Sequence, residues 1–586
     1  MSVSGKAFDL TLFRRIFSYV KPYKSRFGFS VGCTVILAFI SPVRAWLIGF
    51  MFDHFVHLAD LPQFFKYTLL LLGSLLLEGI LQFAGSYTSS FVGQSIVKDI
   101  RVQLFRHVVN LRLKYFDSTP IGTLVTRVVS DMETIGDMFT EGLIEITGDV
   151  LKLLVILAFM LLINVKLTLI GLATIPVLLV ATYIFKNAVR AAFQDVRTQV
   201  ARLNAFVQEH ITGMNIIQIF NREEIEYEKF KKINASHKDA NIRSVWHYSV
   251  FFPVVEILAS VSMGLLIWWG GKTVLSGTAS LGELIAFTTL YINMLFRPIR
   301  MLADRFNTLQ MGMVSAERVF KVIDTKEFIV DSGVNKAEDI AGVVEFNDVW
   351  FSYEDEPVKN WILKGISFKV SRGETIALVG ATGAGRTSIV NLLNRFYEYN
   401  NGEISVDGKN IRTYELNALR NTIGLVLQDV FLFSDTVANN ISLYSPHISR
   451  EMIIESAKAV GAHDFILKLP GGYDYNVMER GAMLSVGQRQ LIAFIRAYVF
   501  NPKILVLDEA TSSIDTESEL LIQQATDKLI SNRTSIIIAH RLATIQKANR
   551  ILVMEHGEVI ESGTHQELLR LNGHYRKLYE LQFERN

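Results

Sequence analysis

A glycine-rich segment in the second half of the chain, Gly380–Thr387, has the spacing of a loop that holds phosphate groups. It reads Gly-Ala-Thr-Gly-Ala-Gly-Arg-Thr, where the general pattern is G-x-x-x-x-G-K-[ST]. The short apolar run Thr375–Val379 predicts a buried strand before the loop, and Ser388–Asn394 predicts the start of a helix after it. Glycine lets backbone N–H groups turn towards an anion, and a helix N-terminus adds partial positive charge. The segment therefore predicts a nucleoside triphosphate site rather than a plain turn.

The residues of this loop have separate predicted roles. The hydroxyl of Thr387 suits a Mg²⁺ ligand, and the side chain at position 386 is placed to reach the terminal phosphates. Position 386 is Arg where the pattern has Lys, and a planar guanidinium is bulkier than an ammonium group. We therefore expect weaker nucleotide binding and much slower hydrolysis than with Lys. The other phosphate-contacting positions are expected to be Gly380, Thr382, Gly383, Ala384, Gly385 and Ser388.

Two apolar runs end in residues suited to hydrolysis. Ile504–Leu507 is followed by Asp508, which predicts a Mg²⁺ ligand, and by Glu509, which predicts the base that orients or deprotonates water. Ile536–Ala539 is followed by His540, which suits a contact to the terminal phosphate. Because α/β sheets bind ligands at the carboxyl ends of their strands, these residues are expected beside the phosphate loop.

Three further positions extend the predicted site. Tyr353 is expected to stack on the adenine, and Gln428 to sense Mg²⁺ and the terminal phosphate. The segment Leu484–Gln488 opens an apolar helix and predicts a second anion site, with contacts from Ser485, Gly487 and Gln488. One triphosphate needs only one phosphate loop. The second site therefore predicts a meeting with a nucleotide held by another copy of the domain.

Composition divides the chain of 586 residues into two halves. Hydrophobic residues make up 50% and the mean hydropathy is +0.29, which is high for a water-soluble protein. Six apolar segments in the first half approach the ~20 residues of a membrane-spanning helix: 27–52, 67–92, 143–163, 167–186, 248–271 and 281–302. The second half alternates short apolar strands with amphipathic helices. The predicted fold class is an α-helical membrane domain of six spans, 1–324, a linker, 325–342, and an α/β phosphate-loop domain, 343–586.

Basic residues predict the orientation in the membrane. They concentrate before the first span and in the loops after spans two and four, whereas the loops 53–66, 164–166 and 271–280 hold one Lys each. Both termini and the nucleotide-binding domain are therefore expected on the cytoplasmic side of the inner (plasma) membrane. The net charge of +2 gives no indication of a nucleic-acid partner, and the single Cys33 excludes an intrachain disulfide.

Taken together, the motifs resemble those of the ATP-binding cassette transporters, specifically the exporter half-transporters with six spans fused to one cassette. The resemblance covers nearly the whole chain and rests on Tyr353, Gly380–Thr387, Gln428, Glu479–Gly481, Leu484–Gln488, Asp508, Glu509, Ser512–Asp515 and His540. The family implies ATP and Mg²⁺ as cofactors and a second half-transporter chain as partner. It also implies that two ATP molecules lie head to tail, each between the phosphate loop of one chain and the signature segment Leu484–Gln488 of the other.

The membrane half carries the same resemblance. Segments near 114–124 and 213–222 resemble the coupling helices that dock on the cassettes, and residues 9–22 resemble an amphipathic helix on the membrane surface. The implied function is ATP-driven export or flipping of amphipathic drugs or lipids by an alternating-access dimer. The alternative is an ATP-binding, low-turnover regulatory or gated-pore half of a heterodimer, which Arg386 would suit. Val486 replaces a Gly of the usual signature, which modestly favours a heterodimer over a homodimer.

Several ionisable residues fall inside the predicted spans, where charge is costly and often functional. Arg44 is expected to pair with a carboxylate. Two interpretations are open for Asp149, pairing with Lys152 three positions further along one helix face, or solvation toward the cytoplasmic end of the span. Glu78 and Glu256 lie deeper in their spans. Two interpretations stay open for them, the lining of a transport cavity and buried structural pairing.

Overall fold

The chain forms two compact units. The computed structural model describes residues 10–56, 60–336, 340–354, 360–508, 516–539 and 541–583. The first unit comprises the residues up to Val109 together with Ile121–Thr325. The second comprises Asn110–Pro120 together with the chain from Lys326 onward. A short segment from the first half of the sequence thus belongs to the second unit.

The described part of the first unit is built from helices. Five stretches have the length and apolar composition to cross a membrane: Lys21–Phe55, Leu61–Val109, Ile121–Ile163, Val165–Thr212 and Glu223–Leu275. Each contains one of the first five predicted spans. Residues 281–302 are helical as well but do not reach that apolar composition, because Glu283, Asn293 and Arg297 lower the mean hydropathy. The sixth span stays a prediction.

The bounds of these helices follow the apolar pattern and its interruptions. The α-helices are Leu10–Ser18, Lys24–Met51, Leu61–Val109, Ile121–Val128, Ser130–Asp137, Ile144–Ile163, Val165–Leu172, Ile175–Thr212, Met214–Ile219, Glu223–Leu265, Gly271–Leu275, Leu281–Ala286 and Ile292–Ile323. Short π-helical turns continue several of them at Phe52–Val56, Met138–Leu143, Leu266–Gly270 and Phe287–Tyr291, and a single 3₁₀ turn forms at Lys21–Tyr23.

The three longest helices far exceed the thickness of a bilayer. Leu61–Val109 has 49 residues, Ile175–Thr212 has 38 and Glu223–Leu265 has 43. At ~1.5 Å per residue, each exceeds the ~30 Å hydrocarbon core. Spans two, four and five therefore continue beyond the bilayer as single helices. The segment predicted as the first coupling helix, 114–124, is instead divided between Leu113–Ser118 and Ile121–Val128, because Pro120 disfavours a continuous helix there.

The second unit contains two sheets. Its strands are β1 Val344–Phe351, β2 Leu363–Val370, β3 Thr375–Gly380, β4 Asn401–Val406, β5 Lys409–Asn410, β6 Ile423–Val426, β7 Ile504–Asp508, β8 Thr534–Ile538, β9 Arg550–Glu555 and β10 Glu558–Gly563. The smaller sheet is antiparallel with the order β2-β1-β4-β5. The larger sheet has the order β10-β9-β3-β8-β7-β6, and all of its pairs except β10–β9 are parallel. The predicted α/β domain is confirmed.

Helices cover both faces of the larger sheet. Alternate residues of β3 enter different cores: Ala377 and Val379 one, Ile376 and Leu378 the other. Side chains of a strand alternate between faces, so these cores lie on opposite sides of the sheet. The helices of this unit are Leu113–Ser118, Arg386–Leu393, Leu416–Thr422, Val437–Ser442, Arg450–Val460, His463–Leu467, Val486–Val499, Thr516–Ile530, Leu542–Lys547, His565–Leu571 and His574–Phe583. Short 3₁₀ turns lie at Ile411–Thr413, Gly472–Asp474 and Glu479–Gly481.

The predicted linker 325–342 is held by backbone hydrogen bonds over part of its described length. The N–H groups of Val334 and Asn335 donate to the Thr413 carbonyl at 3.1 and 3.2 Å. The carboxylate of Asp331 accepts from the N–H of Leu416 at 3.1 Å. Between Asp331 and Asn335 the linker is therefore hydrogen-bonded to the segment Thr413–Leu416 of the second unit.

Candidate nucleotide-binding site

The phosphate-binding loop connects β3 to the helix Arg386–Leu393. Every residue of β3 is buried, and the helix begins directly after Gly385. Gly383 and Gly385 have φ of +86° and +97°, values that glycine adopts without strain. A Cβ on Gly380 would lie 2.3 Å from the Met554 carbonyl oxygen, and one on Gly385 would lie 2.6 Å from the Leu363 Cδ2. A side chain at position 380 would therefore collide with the backbone of Met554, and one at position 385 would be strained by the positive φ.

This arrangement fits a phosphate group. Thr382, Gly383 and Thr387 are exposed, whereas Ala384 and Ser388 are buried beneath them. The first N–H groups of any α-helix lack partners within the helix and carry partial positive charge. The exposed side of the loop therefore offers N–H groups and the Thr387 hydroxyl to an anion.

Arg386 lies at the start of this helix and is 9% exposed. Burial lowers the pKa of its guanidinium below the usual value, and the negative charge of Asp508 opposes that shift. Burial also raises the pKa of the Asp508 carboxyl, which Arg386 lowers and Asp429 raises further. The unusual Arg thus interacts electrostatically with the carboxylate predicted to bind Mg²⁺.

Two of the residues predicted at strand ends, Asp508 and Gln428, lie at one edge of the larger sheet. β3, β8, β7 and β6 are parallel neighbours, so their carboxyl ends share that edge. Asp508 is the last residue of β7, and the exposed Gln428 follows β6. Glu509, His540 and the segment 512–515 lie outside the described residues.

Tyr353 is half-buried behind the phosphate loop. Its hydroxyl lies 3.0 Å from the Ser388 Oγ, and the Asn391 side-chain amide donates to it at 3.3 Å. Its ring packs edge-to-face on Phe351 and Tyr397, with centroids 4.7 and 4.8 Å away. The structure thus connects this aromatic residue to the phosphate-loop helix, while stacking on adenine stays a prediction.

The signature segment caps its own helix. Ser485 is the N-cap of Val486–Val499: its hydroxyl accepts from the Gln488 N–H at 3.2 Å. The Gln488 side-chain oxygen accepts from the Ser485 N–H at 3.0 Å. This reciprocal capping box leaves Ser485 exposed and Val486 44% exposed, with Gly487 buried. The substituted position of the motif therefore faces outward.

Asp429 was not among the residues predicted from the sequence. It follows Gln428 at the end of β6, and its charge acts on Asp508 across the same sheet edge. Asp429 was predictable in principle, because ligands bind at the carboxyl ends of the strands in α/β sheets and Asp429 follows such an end. Asn391 could not be found in this way, because its role depends on the position of Tyr353, 38 residues away along the chain.

Charged residues within the membrane helices form ion pairs. Arg44 pairs with Glu78, whose carboxylate also accepts from the Ser41 hydroxyl at 2.5 Å. The predicted pairing of Arg44 with a carboxylate is confirmed, and it supports the structural interpretation of Glu78. The predicted partner of Asp149 was wrong: its ion pair is with Arg305, because a residue from another helix reaches it.

Two family models match the chain. One, described as the ABC transporter transmembrane region, matches residues 27–299, and the other, described as ABC transporter, matches residues 363–512.

Relatives match over nearly the whole length. YgaD of Bacillus subtilis (strain 168), whose name gives multidrug export as its role, is 36% identical over 97% of this chain and 99% of its own. The protein exp8 of Streptococcus pneumoniae, named as an ABC transporter ATP-binding protein, is 39% identical over 99% of both chains. The ATP-dependent lipid A-core flippase of Syntrophus aciditrophicus (strain SB) is 34% identical over 98% of this chain and 95% of its own.

The fold and the site define a membrane protein with an α/β nucleotide-binding domain. With these matches the chain belongs to the ABC transporter family. It binds ATP and couples ATP hydrolysis to transport across a membrane. Half-transporters of this kind generally form dimers.

Proposed function

We propose that this protein exports or flips amphipathic drugs or lipids across the plasma membrane. The observation that carries the proposal is the full-length similarity to relatives named for multidrug export and for lipid A-core flipping. The apolar helices of the first unit support it, since an amphipathic substrate partitions into the same bilayer that they cross. Both termini and the nucleotide-binding domain are assigned to the cytoplasm on the basis of the basic loops.

The catalytic roles are assigned on the basis that the parallel strands β3, β8, β7 and β6 have their carboxyl ends at the same edge of the sheet. Glu509 is assigned as the base for the attacking water, and His540 and Gln428 as contacts to the terminal phosphate. The oxygen donors Thr387, Gln428 and Asp508 match the ligands that Mg²⁺ prefers. Bound there, the ion would neutralise charge on the phosphates. The loop Gly380–Ser388 and the ring of Tyr353 are assigned to the triphosphate and the adenine.

A dimer is proposed from the placement of the two anion sites. The phosphate-loop helix Arg386–Leu393 contributes to one core of the larger sheet, and the signature helix Val486–Val499 to the core on the opposite face. The exposed N-terminus of the signature helix is therefore assigned to a nucleotide held by the second chain. The exposed Val486 would lie at that contact, and its departure from Gly favours a different chain as partner.

A second candidate is favoured by Arg386 alone. The guanidinium is buried, and it interacts electrostatically with Asp508. Such a site would retain ATP yet turn it over slowly. The chain would then act as the regulatory half of a heterodimer whose other site hydrolyses ATP.

Transport by purified protein in vesicles tests the proposal. We expect ATP-dependent movement of a bisbenzimide dye or of a fluorescent phosphatidylethanolamine, and loss of that movement in Glu509→Gln. The wild-type chain is compared alone and together with a candidate second half-transporter chain. The variant Glu256→Gln tests whether this exposed carboxylate on Glu223–Leu265 contributes to substrate binding.

The outcomes separate the two candidates. Transport by the chain alone that stops in Glu509→Gln supports an exporter that is active as a homodimer. Transport that requires the partner and survives Glu509→Gln in this chain supports the low-turnover half. Bound ATP without movement of either probe under any combination contradicts export of amphipathic compounds.

A further inference from the structure

One histidine joins the ends of the two long helices Ile175–Thr212 and Glu223–Leu265. His210 lies in the last turn of the first helix, and Glu226 lies in the first turn of the second. The His210 Nε2 is 2.7 Å from the Glu226 carboxylate oxygen Oε2, and the His210 Nδ1 is 2.8 Å from the carbonyl oxygen of Phe206. Each nitrogen of the ring therefore has an oxygen atom at hydrogen-bond distance.

This arrangement requires the protonated form of the His210 ring. A backbone carbonyl has no proton to donate, so the Nδ1 carries one. The ammonium group of Lys229 is 2.7 Å from the other carboxylate oxygen of Glu226, Oε1, and stabilises the ionised carboxylate. An ionised carboxylate only accepts hydrogen bonds, so the Nε2 carries a proton as well. A neutral imidazole has a single N–H and could donate to only one of the two oxygens.

The surroundings of His210 also stabilise a positive charge on the ring. The C-terminal end of a helix stabilises a cation and the N-terminal end an anion, and the two partners occupy these places. The ring stacks on that of Phe206 with centroids 3.7 Å apart, and an aromatic face attracts a cation. The other charged groups nearby lie on the same two helices, around the groove beside the ring: Arg202, Glu209, Lys229 and Lys232.

We propose that the His210–Glu226 contact is a proton-dependent link that holds the two helices together across the segment 213–222. With the proton in place, the ring bonds to the carbonyl of its own helix and to the carboxylate of the next. When the Nε2 proton passes to water, the nitrogen lone pair faces the carboxylate oxygen, and two acceptors at that distance repel each other. The two helices are then free to separate at this end.

The link depends on the pH of the surrounding water. At ~1.5 Å per residue, His210 and Glu226 lie about 30 Å along their helices from the predicted spans 167–186 and 248–271, which places them outside the bilayer. Carboxylate, lysine and arginine side chains ordinarily keep their charge between about pH 5 and 8, whereas histidine changes its charge in this range. The contact is therefore formed at the acidic end of the range and is lost as the pH rises.

His237 provides a matched control on the second helix. Its Nε2 lies 3.0 Å from the side-chain nitrogen of Asn241, which also donates to the His237 carbonyl at 3.0 Å. This ring nitrogen therefore accepts a hydrogen bond, as a neutral imidazole does. His237→Gln removes an imidazole from the same helix without touching the contact between His210 and Glu226.

Hydrogen exchange of the full chain in lipid nanodiscs measures the link. Exchange of the peptide covering residues 211–225 is followed from about pH 6 to about pH 8, with correction for the intrinsic pH dependence of exchange. In the wild type and in His237→Gln we expect the protection to fall about tenfold as the pH rises, the effect of losing one hydrogen bond to a charged group.

Two variants remove the titration from either side of the contact. His210→Gln replaces the imidazole by a neutral side chain, and Glu226→Gln removes the negative charge. Each should show the weaker protection at every pH, and the double variant should lose no more than either single one, as for two ends of one contact. A pH-dependent change in protection that persists in either variant overturns the inference, as does a wild type whose protection does not change with pH. Loss of the change in His237→Gln also overturns it, since His237 would then be the group that titrates.

Discussion

Replacing Arg386 by Lys is expected to speed up ATP turnover, because the phosphate loop then has the residue of the general pattern. The loop packs closely on its neighbours at two positions: Gly380 lies against the backbone of Met554, and Gly385 lies against the side chain of Leu363. Arg386 is therefore confined within a space where the general pattern places Lys. We expect Arg386→Lys to raise kcat/KM for ATP.

The magnitude follows from side-chain length. The terminal nitrogens of Arg lie one delocalised C–N bond, about 1.3 Å, beyond the corresponding position of the Lys nitrogen. A displacement of about 1 Å at a reacting group costs up to roughly 100-fold in rate. One hydrogen bond to a charged group contributes roughly 1.5–3 kcal/mol, or about 10- to 150-fold. Both considerations give an expected gain of about 10- to 100-fold.

The assay is steady-state ATP hydrolysis by the purified protein, with kcat and KM determined separately. The exposed Arg372, in the turn before β3, provides the control, because Arg372→Lys makes the same chemical change away from the loop. The control should leave both constants unchanged. Equal activity of wild type and Arg386→Lys would refute the reasoning, since it would mean that the guanidinium holds the phosphates as well as an ammonium group does.

Three further perturbations have defined outcomes. Burial raises the pKa of Asp508 above its ordinary 3.8, and the charge of Arg386 offsets part of that increase. As the pH decreases, Asp508 should therefore become protonated before ordinary carboxylates do, and kcat/KM for ATP should decrease with it. In Arg386→Gln, which removes the positive charge, the decrease in kcat/KM should occur at a higher pH than in the wild type. In Arg386→Lys, which keeps the charge, it should occur at the same pH as in the wild type. Identical pH–rate profiles for the two variants would contradict an electrostatic interaction between position 386 and Asp508. Ser485→Ala should lower the free energy of unfolding by about 1 kcal/mol through loss of the N-cap and also abolish ATPase activity. Ser485→Asn should restore thermal stability but not activity, and restored activity would show that Ser485 acts only as a cap. Arg44→Ala should cost roughly 3 kcal/mol and reduce folded yield because Glu78 loses its partner. Combining Arg44→Ala with Glu78→Gln should restore the folded yield, measured by size-exclusion chromatography. A double variant with no higher yield than Arg44→Ala would show that the two residues do not stabilise each other.

The conformation of the phosphate loop was predictable because its requirements are local. Gly383 and Gly385 adopt backbone angles that few other residues tolerate, so their spacing alone identifies the loop. Asp508 directly ends an apolar strand, and the rule for parallel sheets places it at the ligand edge. The sixth span was harder to assess, because polar residues among apolar ones weaken a signal that depends on average hydropathy.

Contacts between distant segments were not predictable in the same way. The sequence indicated that Arg44 needs a carboxylate but could not select Glu78, and it assigned Asp149 the neighbour Lys152 when the ion pair is with Arg305. Such choices depend on how helices rotate and pack against one another. That packing is set by many side chains at once rather than by a short motif.

By itself the sequence determined the class of protein, the phosphate loop with its unusual Arg386 and the α/β fold of the second half. Only the tertiary structure placed the phosphate-loop and signature helices on opposite faces of one sheet. It alone also joined Asp117 to Tyr397, 280 residues further along the chain. The physical reason is the range of the interactions: backbone conformation and hydrophobic periodicity act between near neighbours, whereas strand order and ring packing arise only once the chain has folded.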